Sequence, residues 1–331
     1  MNTTFWKYLR HHGQPFIGLL LILILGTVLS PHATDGTIVF LSPGNLTDVL
    51  LQQSEIGIIA LAMTFVIIGA GIDLSVGSVL ALSACVSALF MMVWNPHGPL
   101  VVQVGLAIGA ALAGGALIGA LNGLVITRIH LQPFVMTLAT MIGVRGFTKW
   151  LTGNVNVDLA FGANPSGRFA ELFSSKPFAI SLWIGLAIIA HLILTRTVYG
   201  RYLRAIGENE RAAAYTGLPV AGVRLAAYVG CGALAALAGL IHAARSHQGN
   251  PNDGVGYELD AIAAVVIGGT ALAGGRGSII GTVTGTLVLG LLTNVLRLHM
   301  VDSNLELMIK AVIIIAAVWL QRRSTGVHGD L

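Results

Sequence analysis

The stretch Gly71-Ile72-Asp73-Leu74-Ser75-Val76-Gly77-Ser78 interrupts an otherwise apolar run from Ile56 to Trp94. It places a carboxylate where a bilayer penalises charge, and an ionisable residue inside such a run marks a functional site by default. Asp73 and Ser75 are good helix N-cap residues, and Gly71 and Gly77 permit backbone conformations that strain other residues. The string therefore reads as one helix ending and another beginning. Discontinuous helices of this kind mark transport pathways, which makes Gly71, Asp73, Ser75, Gly77 and Ser78 candidate pathway residues.

The rest of the chain is membrane-like. Of 331 residues, 55% are hydrophobic and only 10% charged, with a mean hydropathy of +0.83, too little polar surface to coat a water-soluble globule. The net charge is +4, but the basic residues sit in short loops and form no nucleic-acid-binding face. Cys85 and Cys231 lie inside apolar runs, where lone thiols behave as small hydrophobes, so neither a disulfide framework nor a zinc site is expected.

Requiring roughly 20 apolar residues per crossing places spans near 14–30, 54–72, 74–94, 100–127, 133–152, 178–195, 223–243, 258–274, 278–297 and 304–321. The expected fold is all-α: a polytopic membrane protein of about ten helices, some discontinuous, each long enough to cross. The first span resembles a signal peptide, yet Ser30-Pro31-His32-Ala33 offers no convincing cleavage site, so it reads as a retained anchor. Lys7 and Arg10, Arg128, the group Arg196, Arg201, Arg204, Arg211 and Arg224, and Arg322 with Arg323 all fall on one side of a ten-span count. By the positive-inside rule that side is cytoplasmic, and with it both termini. The opposite loops at 31–53, 95–99 and 244–257 carry between them only Arg245, while Arg168 and Lys176 in 153–177 are balanced by Asp158 and Glu171. The organisation is then a cytoplasmic segment 1–13, a transmembrane unit 14–321 containing a cytoplasmic loop 196–222, and a tail 322–331.

Much of the glycine lies within spans, as at Gly105, Gly109, Gly114, Gly115, Gly119 and Gly123, and at Gly281, Gly285 and Gly290. Such small residues let helices approach closely in lipid, where apolar burial supplies no drive for association. A faint echo at a spacing of two hundred residues pairs Val66-Ile67 with Val266-Ile267, Gly69 with Gly269, and Gly77-Ser78 with Gly277-Ser278. It marks Gly275, Gly277 and Ser278 as a second polar break.

The longest polar insertion on the basic side centres on 205–217. Asn209 can cap a short Ala-rich helix, Gly217 can stop it and Pro219 prevents resumption, which describes a surface helix held between two spans as a docking element. Its candidate contact residues are Gly207, Glu208, Asn209, Glu210, Arg211, Tyr215 and Gly217; an ordinary positive-inside loop is the plainer reading. Motifs for catalysis are missing: there is no Gly-Lys dipeptide and hence no phosphate-binding loop, no His-Glu-x-x-His helix and no Gly-x-Ser-x-Gly elbow. Gly275-Arg276-Gly277-Ser278 links two apolar helices, not a strand and a helix, which argues against a nucleotide site. The ten histidines are spread over loops and span ends, and read as solvated or hydrogen-bonded.

Residues 71–78, the stretch 201–217, and Leu259 to Thr270 continuing through Gly274-Gly275-Arg276-Gly277-Ser278 together resemble the membrane permeases of bacterial ribose/xylose/galactose-type ABC importers, over about residues 50–320. The resemblance implies a multi-pass protein of the bacterial inner membrane that pairs with a second permease subunit, identical or closely related, around a central path. It also implies a periplasmic sugar-binding protein on one side and a separate ATPase docked at 205–217 on the other. This chain then binds no cofactor, and ATP is used by the partner. The family commonly has Gly-Asn where this chain has Glu208-Asn209, a departure expected to tune partner choice. Spans with few ionisable residues suit a neutral monosaccharide. Alternatives are an ion-coupled secondary transporter with Asp73 as coupling carboxylate, a membrane-embedded enzyme, for which the required His or carboxylate cluster is not seen, and an ABC permease for branched-chain amino acids or nucleosides.

Overall fold

The computed structural model describes residues 14–94, 99–162 and 164–324. The expected segment 1–13, and the expected tail beyond residue 324, lie outside the described residues. Among the described residues thirteen α-helices account for nearly all regular structure. They are α1 (Gln14–Leu29), α2 (Pro43–Ile68), α3 (Val76–Leu89), α4 (Leu100–Leu124), α5 (Pro133–Leu151), α6 (Pro165–Ser174), α7 (Lys176–Arg196), α8 (Val198–Glu208), α9 (Glu210–Tyr215), α10 (Val220–Ser246), α11 (Tyr257–Ile267), α12 (Ile279–Leu298) and α13 (Ser303–Ser324). Both α3 and α4 run on through a wider turn, to Trp94 and Ile129.

Among the described residues six helices are long and apolar enough to cross a membrane: α2, α3 and α4 with their extensions, α7, α10 and α12; α1 is a shorter apolar helix. The expected span at 258–274 is different. Its helix stops at Ile267, and eleven residues reach only about 16 Å, half of a bilayer core. Residues 268–278 that complete the expected span are a turn-rich segment, because Gly268, Gly269, Gly274 and Gly275 leave no helical preference there. The span expected at 54–72 is also displaced. Ser42 caps α2 through Asn45 N–H at 3.3 Å and Pro43 opens its first turn, so the helix begins in polar sequence that hydropathy passes over and ends at Ile68.

Helix α10 is the centre of the bundle and packs most extensively on α4, then on α3 and α2. A Cβ at Gly115 or Gly119 would overlap the Gly232 and Tyr228 carbonyls of α10, while Gly105, Gly109 and Gly114 face open space. Only the glycines spaced by four on one α4 face therefore act in packing. A pair of two-residue strands, β1 (Val157–Asp158) and β2 (Gln248–Gly249), are antiparallel with Val157 opposite Gly249. They tie the loop before α6 to the segment between α10 and α11.

The two breaks end their helices in the same way. After α2, Ala70 N–H bonds the Ile67 carbonyl and Gly71 N–H that of Val66; after α11, Gly269 bonds Val266 and Thr270 bonds Val265. Both are Schellman caps with one left-handed residue, Ala70 at φ 57° and Gly269 at φ 87°. Ala70 thus corresponds to Gly269, one residue off the two-hundred-residue spacing, and pays strain of about 1–2 kcal/mol for a conformation glycine adopts freely.

Candidate functional site

The breaks 69–75 and 268–278 meet at the basic end of the bundle. Gly275 N–H donates to the Ile68 carbonyl at 2.9 Å, joining them directly. Gly207, at the end of α8, fills the remaining space: a Cβ there would overlap both the Ile68 carbonyl oxygen and the Gly275 nitrogen. Gly275 (φ 76°) in turn lies against the Glu208 side chain, and Gly277 against Ile68. The predicted pathway residues Gly275 and Gly277 and the predicted docking residues Gly207 and Glu208 therefore form one contiguous contact.

Asp73 is fully buried, and Ser75 and Ser78 nearly so. Its Oδ1 accepts from Ser75 N–H at 2.9 Å and Ser75 Oγ at 2.6 Å. The expected N-caps are thus not made: α3 starts after Ser75 with no side-chain cap bond, and Asp73 instead closes a local turn that Ser75 and Asn122 hold in place. Asn122 Nδ2 donates to Ser75 Oγ at 3.0 Å, Thr140 Oγ1 to Asn122 Oδ1 at 2.6 Å, and Thr137 Oγ1 to the Ile72 carbonyl at 3.2 Å. Helices α4 and α5 thereby clamp the break. Gly71 and Gly77 have no positive φ; they are small because Tyr228 and the Gly254 carbonyl approach them. Ser278 caps α12 by accepting from Gly281 N–H at 3.3 Å.

The segment expected to dock a partner folds into the short capped helix that its sequence implies. Asn209 Oδ1 accepts from Ala212 N–H at 3.0 Å, and Gly217, φ 82°, ends α9. Glu208, Asn209, Glu210, Arg211, Tyr215 and Gly217 are exposed while Gly207 and Ala213 are buried. Tyr215 is 90% exposed, a large aromatic ring held out on a six-residue helix. Beside it a groove of 390 Å³ is lined by Thr127, His130, Gln132, Glu210, Ala214 and Arg224. Glu210 does not point only outward: its Oε1 pairs with Arg224 Nη1 at 2.9 Å.

A second polar cluster escaped sequence reasoning. Glu55, 1% exposed, accepts from Arg245 Nη1, lies 2.9 Å from His242 Nδ1, and receives Tyr257 Oη at 3.4 Å. His242 Nε2 reaches Asp253 Oδ2 at 3.0 Å, and Arg145 Nη1 donates to the Pro251 and Asp253 carbonyls. The cluster locks α2, α5 and α10 to the loop that precedes α11. Glu55 sits one residue before the apolar run, near the start of the expected span 54–72; with α2 starting at Pro43 it is well inside the helix. His242 and Arg245, three apart on α10, share a face, and that spacing was the available signal. Arg245, assigned to a loop, lies within α10, which continues to Ser246.

The arrangement is a pair of interlocked helix breaks, backed by a surface helix, with an ion-paired lock elsewhere in the bundle. A shift of α8 and α9 must move Gly207, and with it the Ile68 and Gly275 contacts.

Residues 45–318 match the family described as the permease component of the branched-chain amino acid transport system. The chain is 40% identical over 318 residues to the ribose import permease protein of Escherichia coli (strain K12), covering 94% of this chain and 93% of that one. The ribose import permease protein of Bacillus subtilis (strain 168) is 42% identical over 315 residues, with 94% and 93% covered. The D-allose transport system permease protein of Escherichia coli (strain K12) is 35% identical over 318 residues, with 96% and 92% covered.

Proposed function

The chain belongs to the permease-component family of the branched-chain amino acid transport system, and from that premise we propose that it is the membrane permease subunit of an ATP-driven importer that moves a monosaccharide from periplasm to cytoplasm. It is a multi-pass protein placed in the bacterial inner membrane, with its basic end in the cytoplasm. An ATPase subunit binds the outward face of α9 there, through Tyr215, Arg211 and Asn209, a periplasmic sugar-binding protein delivers substrate at the other end, and a second permease subunit completes the path. ATP is bound and hydrolysed by the partner alone.

The observation that carries this reading is the exposed, Asn209-capped α9, seated through Gly207 on two interlocked helix breaks. The surface helix presents Tyr215 and Arg211 to a partner, and the partner's motion enters the bundle where both breaks converge. Docking, break and pathway residues thus act in series: ATP-driven closure of the partner shifts α8 and α9, the breaks at Asp73 and Gly275 follow, and the bundle exchanges outward- and inward-open states. A neutral substrate is favoured because Glu55, His242, Arg245 and Asp253 are paired with one another, and the spans carry few other ionisable residues to neutralise a phosphorylated sugar or a dicarboxylate. Ribose is the first candidate, since ribose permeases are among the relatives.

The test is reconstitution with the ATPase and binding protein encoded beside this chain. ATP hydrolysis stimulated by ribose-loaded binding protein, and not by leucine, is the expected result. Failure of any ATPase to co-purify with the chain overturns the reading.

A further inference from the structure

Helix α2 ends with two carbonyls that need donors, those of Ile68 and Gly69, at the negative end of the helix dipole. Gly275 N–H satisfies the first. The second is satisfied by a side chain from another helix: Arg224 Nε donates to the Gly69 carbonyl at 3.2 Å. The same guanidinium turns its Nη1 to Glu210 Oε1 at 2.9 Å. The Arg224 side chain is 14% exposed and that of Glu210 48%, so the arginine lies largely inside the protein and the glutamate at its surface. A guanidinium is suited to this bridging task because its planar fork offers donors in two fixed directions.

Arg224 sits on α10, and one turn further along the same face is Tyr228, whose ring backs Gly71, two residues beyond the bonded carbonyl and two before Asp73. From the first residue of the docking helix to the turn that carries Asp73 there is thus a continuous path: Glu210, Arg224, the Gly69 carbonyl, Gly71. Gly207 offers a second path by steric contact, but it can only push. The Arg224 bridge can also pull, since it is bonded at both ends.

We infer that Arg224 is the positioning residue through which movement of the docking helix is transmitted to the end of α2, so that ATP hydrolysis and substrate passage remain coupled. The inference rests on the importer reading above. Arg224 touches neither substrate nor nucleotide; it acts through the Gly69 carbonyl. Removing it leaves the docking surface of Tyr215, Arg211 and Asn209 in place and severs the tensile link behind it.

The experiment compares the unmodified chain with Arg224→Ala, Arg224→Lys and Glu210→Gln, each assembled with ATPase and binding protein in proteoliposomes. The readouts are ATPase co-purification, basal hydrolysis, hydrolysis stimulated by ribose-loaded binding protein, and sugar imported per ATP consumed. Arg224→Ala is expected to co-purify normally and keep basal hydrolysis within about twofold, while sugar per ATP falls tenfold or more. Arg224→Lys, with one compact donor group, and Glu210→Gln, which keeps the Gly69 bond, are expected between the two. If Arg224→Ala fails to insert, those two conservative variants carry the same contrast. Sugar per ATP within twofold of the unmodified chain in all variants overturns the inference alone. Loss of ATPase co-purification from Arg224→Ala also overturns it, by making Arg224 a docking contact. Absence of stimulated hydrolysis from the unmodified complex overturns the importer reading and the inference with it.

Discussion

Replacing Glu55 by Ala should be among the most destabilising single changes in this bundle. The carboxylate is 1% exposed and engages Arg245, His242 and Tyr257. Removing it leaves the half-buried Arg245 guanidinium without its carboxylate and His242 with Asp253 alone, and breaking a buried pair costs roughly 3–5 kcal/mol. That exceeds the ~0.6 kcal/mol average of an interhelical hydrogen bond in a membrane, because charge and not only a dipole is stranded. The equilibrium between folded and unfolded chain should shift about 140- to 3,700-fold, at 1.4 kcal/mol per decade. A control lies on the same helix: Asp48 pairs with Lys176 at 2.7 Å, but the side chains are 51% and 44% exposed, and such a pair contributes about 0–1 kcal/mol. Unfolding titrations in mixed micelles of dodecyl sulfate and a mild detergent should therefore place Glu55→Ala far below Asp48→Asn, with Glu55→Gln between them since its single amide oxygen still accepts from Arg245. A Glu55→Ala variant within about 1 kcal/mol of the unmodified chain would show that the cluster is solvated and not a lock.

Asp73→Ala should reduce sugar uptake strongly with insertion preserved, whereas Asp73→Asn should be milder, since its Oδ1 can accept both Ser75 bonds; each lost bond costs about 1 kcal/mol. Equal uptake by the two, near the unmodified level, would remove Asp73 from the mechanism. Gly275→Val should impair transport and assembly through its positive φ and its contact with Glu208, while Gly109→Val, which faces open space, should leave both nearly unchanged in the same vesicles. Tyr215→Ala should weaken ATPase binding by about 2 kcal/mol, the scale of an aromatic interface anchor, with no change in the thermal stability of the isolated permease; unchanged binding would place the docking surface elsewhere.

The break at 71–78 is legible in sequence because Asp73 and two glycines stand out against the apolar run around them. The short surface helix α9 is legible because Asn209, Gly217 and Pro219 are local signals whose effect does not depend on tertiary contacts. What the sequence conceals is pairwise. Gly71 and Gly77 read as conformational glycines, yet they are clearance glycines whose partners, Tyr228 and Gly254, lie far along the chain. The early start of α2 hides because its first turns carry Asn45, Asp48, Gln52 and Gln53, which hydropathy scores as loop. The short α11 hides for the opposite reason: Gly268 to Gly275 follow it without a charge, so an apolar window runs past its end. Glu55 and His242 become a site only when α2 and α10 are laid side by side, and neither position reveals that alone. The echo between the two breaks is faint in sequence because Ala70 does in one cap what Gly269 does in the other.

The most direct measurement of the importer assignment is uptake of radiolabelled ribose into vesicles containing this chain and its ATPase, with ATP enclosed on the side of α9 and binding protein on the other. Accumulation that requires both ATP and binding protein, and that an ionophore does not abolish, is the expected result. Uptake by the chain alone, driven by an ion gradient and collapsed by the ionophore, would contradict it and make Asp73 the coupling carboxylate of a secondary transporter.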